Sequence, residues 1–188
     1  MRIKLGRLSA LAVLISAVGL MFAFTASASA DSITCEISGS IKLSPGLSES
    51  AQVQNISITR HRGAALTSCS GSETAVTGGN ATIHMKTEKA VTCAALKSTG
   101  EAIGESNAVF KWQPKGSGNS TGTFTMPLTE EPVTLGGTFS MSSSPFSEDT
   151  ISGTAQQTYS GTCGSSGHGK GMGKKVNKGS FKGTITIS

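Results

Sequence analysis

Acidic and aromatic side chains are scarce in these 188 residues: two aspartates, one tryptophan and one tyrosine, with three histidines besides. Asp31 and Asp149 are the only aspartates, and His61, His84 and His168 lie in three separate segments. A serine triad therefore has few partners to draw on, and no G-x-S-x-G elbow is present to hold its nucleophile. The neighbouring acids Glu130-Glu131 and Glu148-Asp149 would point to opposite faces if they lay in a strand, whereas a glycosidase needs two carboxyl groups converging on one bond, so solvated loops are the better account of them. No C-x-x-C pair occurs, so thioredoxin-like exchange and a zinc knuckle both lack their spacing. No apolar run long enough to cross a membrane follows residue 30. These absences favour a non-enzymatic reading, with a small secreted hydrolase assembled from distant loops as its rival.

The first thirty residues have the make-up of an export signal. Arg2, Lys4 and Arg7 supply a positive start, "LSALAVLISAVGLMFAF" an apolar stretch, and "ASA" a small-residue cleavage site ending at Ala30. The expectation is a signal peptide over 1–30 and a secreted, extracellular domain over 31–188. Loss of the three leader cations from the 16 basic residues leaves 13 against 11 acids. The remaining charge is uneven, because residues 161–188 contain five lysines and no acid. Four cysteines, Cys35, Cys69, Cys93 and Cys163, remain in an oxidising compartment and predict two disulfides. Three pairings are possible. Cys35–Cys69 with Cys93–Cys163 is favoured, since it staples two successive parts of the chain.

Beyond the leader, alternation with period two dominates. In "SITCEISGSIKL", Ile33, Cys35, Ile37, Ile41 and Leu43 share one face, and Thr34, Glu36, Ser38, Ser40 and Lys42 share the other. This is the pattern of a half-buried antiparallel strand, which Pro45-Gly46 is expected to end. "VQNISITRH" follows with Val53 out of phase, predicting a bulge near Gln54-Asn55. Further strands are read around Ile83 and Met85; Ala108, Phe110 and Trp112; Phe124 and Met126; Val133, Leu135, Phe139 and Met141; Tyr159; and Phe181, Ile185 and Ile187. "EKAVTCAALKS" is the one candidate helix. The fold expected is all-β: a single-domain antiparallel β-sandwich or barrel of about eight or nine short strands, stapled by disulfides.

The motif C-x3-G-x5-P-G-L at Cys35, Gly39, Pro45, Gly46 and Leu47 is followed by Cys69 and Gly71 in "CSG", then by Cys93 and Trp112. This pattern resembles a group of uncharacterised small exported proteins from high-GC Gram-positive bacteria. The likeness covers about the first eighty residues after the leader and rests on cysteines, turn residues and one aromatic. It implies a fold and a bacterial, secreted setting, and it brings no catalytic residue.

"GSSGHGKGMGKK" (164–175) is the stretch most like a chemical motif. Gly164, Gly169 and Lys170 match half of a P-loop, but Gly171 stands where a hydroxyl must hold Mg²⁺, and the glycines that follow oppose a helix. Cys163, His168 and Met172 are possible soft metal ligands. However, Cys163 is assigned to a disulfide and glycines separate the others, so no metal or cofactor is expected. Lysines without arginine, and with only Phe181 to stack a base, do not make a nucleic-acid surface. The candidate anion-binding residues are Lys170, Lys174, Lys175 and Lys178, on a loop expected over 164–178. The sequence therefore predicts an exported β-domain with a binding or structural role, whose partner is an anionic cell-envelope polymer or, as for a secreted inhibitor or toxin, a protein.

Overall fold

The computed structural model describes residues 32–59, 63–71, 75–97, 103–161 and 175–188. The predicted signal peptide, Asp31, His61, Cys163, His168, Lys170, Met172 and Lys174 lie outside the described residues. Among the described residues nine strands form: β1 (Ile33–Leu47), β2 (Asn55–Ile58), β3 (Ala64–Gly71), β4 (Gly78–Thr87), β5 (Ile103–Gln113), β6 (Asn119–Thr125), β7 (Val133–Phe139), β8 (Thr150–Ser160) and β9 (Val176–Ile187). A short 3₁₀ helix, Cys93–Lys97, follows β4.

All pairings are antiparallel, and the sheet closes because β1 pairs with β9 as well as with β2 and β3. Of the two architectures expected from the sequence, the protein adopts the barrel. β2 and β3 both lie between β1 and β4. β2 pairs with Lys42–Ser44 and with 83–86, and β3 pairs with Ile33–Ser38 and with 79–81. They are two halves of one strand position, so the ring has eight positions. An eight-strand ring encloses a space that side chains can fill, and the alternating residues fill it. Ile37, Ile58, Ile83, Phe110, Phe124 and Ile185 are fully buried members of one apolar core.

The ring is curved tightly by glycines at inward positions. A Cβ on Gly183 would lie 2.0 Å from the Thr154 carbonyl oxygen, and one on Gly153 would lie 2.1 Å from that of Thr184. Only glycine lets the two backbones approach so closely. One end of the barrel is sealed by aromatic rings. Phe110 and Trp112 stack at 5.5 Å, Phe146 from the β7–β8 connection meets Trp112 edge-on at 4.8 Å, and the indole N–H donates to Ser120 Oγ at 2.9 Å. The 3₁₀ helix covers the other end, with Leu96 buried and its carbonyl accepting from the Glu130 N–H at 2.9 Å.

Cys35 and Cys69 are joined, as the sequence predicted, across β1 and β3. Cys93 is disulfide-bonded too, and its predicted partner Cys163 lies outside the described residues.

Three local expectations are corrected. Pro45-Gly46 does not end β1. It forms an irregularity within the strand, where pairing with β9 jumps from Lys42↔Lys178 to Leu47↔Val176. Gly46 adopts φ +92° there, and the buried Gln54 side chain accepts from its N–H at 2.9 Å. Val53 is out of phase because it precedes β2 and is exposed, and the real break in that strand position falls between β2 and β3. Met141 lies past the end of β7 and is 77% exposed instead of joining the core. Glu130-Glu131 and Glu148-Asp149 sit in connections between strands, as the expectation of solvated loops has it.

A candidate anion-binding cleft

The interruption between β2 and β3 leaves Gly39, Ser40 and Ile41 of β1 with no ladder partner among the described residues on that side. On the other side the same residues remain paired with β9. Beside this interruption a cleft of about 400 Å³ opens at the barrel surface. Ser40, Lys42, Ser57, Thr59 and Lys178 line it, along with Ile41 and Gly179.

Two cations stand side by side at this cleft. Lys42 and Lys178 are direct partners in the β1–β9 ladder, and both are exposed. Directly opposed residues in an antiparallel ladder stand about 5 Å apart at the backbone, and like charges in that arrangement are destabilising. Neither lysine takes part in an ion pair with another described residue. On the far side of Lys178 stands Ser160, whose hydroxyl donates to the Lys178 carbonyl at 3.4 Å. The arrangement offers two ammonium groups and the hydroxyls of Ser40, Ser57 and Thr59. Such a set can hold an anion by charge and by donated hydrogen bonds.

Of the four lysines singled out from sequence, Lys175 and Lys178 are described, and both are exposed. Lys178 lies in β9 and not in a loop, because the strand begins at Val176. That is a correction, and it gives Lys178 a fixed direction. Lys42 was placed on the polar face of its strand by alternation alone, but its apposition to Lys178 depends on barrel closure, which no local pattern contains.

A second cleft, of about 480 Å³, lies by the 3₁₀ helix and is lined by Cys93, Leu96, Lys97, Glu130, Tyr159 and Val176, among others. Burial is the main cause that raises the Tyr159 phenol well above its ordinary value, and the nearby Glu130 charge adds to it. The phenol is thus held protonated, donating to the side-chain oxygen of the buried Gln157. This is a structural hydrogen bond and not an activated base.

Among the described residues, His84 and Asp149 are not brought together as a hydrolytic site would need. His84 lies on the outer face of β4 between Ser57 and Asn107, while Asp149 precedes β8, four positions around the eight-position ring. No three His, Cys, Asp or Glu side chains converge as a metal site among the described residues. Compared with known proteins, the chain matches no protein-family model, and neither a curated protein nor a solved structure shows significant similarity to it.

Proposed function

We propose that the protein is an exported, non-enzymatic β-barrel that binds an anionic polymer of the cell envelope through the lysines on β1 and β9. The observation that carries this reading is the Lys42–Lys178 pair, two exposed cations held opposite each other beside a hydroxyl-lined cleft. A folded chain that keeps such a repulsive pair gains when an anion lies between the two charges. The signal-like leader and the five acid-free lysines of residues 161–188 support an extracellular, anionic partner. The separation of His84 and Asp149 around the ring supports a role without catalysis.

The test is retention of the secreted protein on an anionic resin or a cell-wall fraction. Lys42→Gln/Lys178→Gln should lose retention while its melting temperature stays level or rises slightly, because the pair's repulsion of about 0.2–1 kcal/mol is removed. A second variant with Lys170, Lys174 and Lys175 changed to Gln separates the contribution of the glycine-rich segment. Retention that survives both sets of substitutions, or that is indifferent to salt, would falsify the reading.

A further inference from the structure

We infer that the ligand is an extended chain of phosphate groups lying along the outer face of β9, and not a single anion seated in the cleft. This rests on the anion-binding reading above and specifies its partner. Lys182 follows Lys178 by four residues, so period-two alternation places both on the same face, and both are exposed. At strand rise the two levels of charge stand about 13–14 Å apart. One phosphate at the Lys42–Lys178 level is too small to reach Lys182.

The surface between the levels suits a chain. Ser180 stands midway, opposite Ser40 on β1 and Thr158 on β8, and exchanges a hydroxyl hydrogen bond with Thr158 at 2.8 Å. Lys182 is flanked by Ser38 and Gln156, with no carboxylate opposite it on either side. Like the other two lysines, it has no ion pair with a described residue. Glu36, the acid on this face of β1, stands opposite Thr184, one position past Lys182, and its charge ends the track there. No exposed aromatic ring lies on these outward positions of β1, β8 and β9, so the face has no platform for stacking sugar rings. Its recognition elements are ammonium and hydroxyl donors, which read phosphates along a backbone. Lysine serves this purpose as a compact, strongly hydrated point charge.

The experiment titrates the secreted protein with inorganic phosphate, tripolyphosphate and long-chain polyphosphate. Long-chain polyphosphate should bind at least about tenfold more tightly than inorganic phosphate once the second level of charge is engaged. Lys182→Gln should weaken the long chain, lower the slope of log affinity against log salt by about one, and leave inorganic phosphate unaffected. Equal affinity for all three ligands, or a Lys182→Gln protein that binds polyphosphate as wild type does, overturns the track while the cleft reading stands. If polyphosphate binding is absent, or is unchanged in Lys42→Gln/Lys178→Gln, the anion reading fails and the track fails with it.

Discussion

Tyr159 near the end of β8 shows how one side chain can report on the closure of the barrel. Its hydroxyl donates to the Gln157 side-chain oxygen, and the Gln157 amide in turn donates to the Pro127 carbonyl in the β6–β7 connection. A buried glutamine is tolerated because both ends of its amide are satisfied. The phenol's proton is held more tightly in the folded protein than in the unfolded chain, so above about pH 10 the unfolded state loses its proton first. Stability should be unaffected by this group below that pH and should fall as the pH rises past it. Thermal melts from pH 8 to 12 test this. Tyr159→Phe should flatten the alkaline decline relative to wild type, at a cost near neutral pH of about 1–3 kcal/mol for the orphaned Gln157 acceptor. Parallel pH profiles for the two proteins would show that the phenol is not the group responsible.

At the scale of the strand, curvature depends on inward glycines. Gly183 faces Ile37 on one side and Ala155 on the other, and its missing Cβ is what lets β8 and β9 close in. Gly183→Val should destabilise the barrel by about 3 kcal/mol, the upper end for overpacking. Gly136 on β7 is the control, since an added Cβ there would meet only the Thr125 hydroxyl, at 3.1 Å. Gly136→Ala should change stability by less than about 1 kcal/mol. Comparable denaturation midpoints for the two variants would remove close strand approach as the reason for Gly183. The split of one strand position into β2 and β3 belongs to this scale too. It shifts the register with both neighbours, and the cleft at Lys42 lies beside it.

For the whole molecule, the ring is closed by the long β1–β9 ladder and the Cys35–Cys69 bridge reinforces it from the neighbouring seam. The bridge spans 34 residues and constrains the unfolded chain, contributing about 3–4.5 kcal/mol on the loop-entropy view. Cys35→Ala/Cys69→Ala should lose roughly that much in chemical denaturation and still fold, because the aromatic seal and the 3₁₀ cap do not depend on it. A double variant that fails to fold would show that the bridge decides whether the ring forms, and not only how stable it is.

Alternation along each strand was legible without the structure, because it is a local property with period two. Ile33, Cys35 and Ile37 of β1, Phe110 and Trp112 of β5, and Ile185 and Ile187 of β9 are buried as that pattern requires. Local chemistry misled where tertiary contacts compete with it: the Gln54 side chain holds Gly46 inside β1, although Pro-Gly alone reads as a strand end. Sequence by itself determined the strands with clean alternation and the core residues on their inner faces, but not β3 (Ala64–Gly71), whose alternation fails after Leu66. Which strands become neighbours, and in what register, was decided only by closure of the ring, since hydrogen-bond ladders and core volume join residues with no local signal of each other. Lys42 and Lys178 come from opposite ends of the described chain, and only the β1–β9 ladder makes them one site.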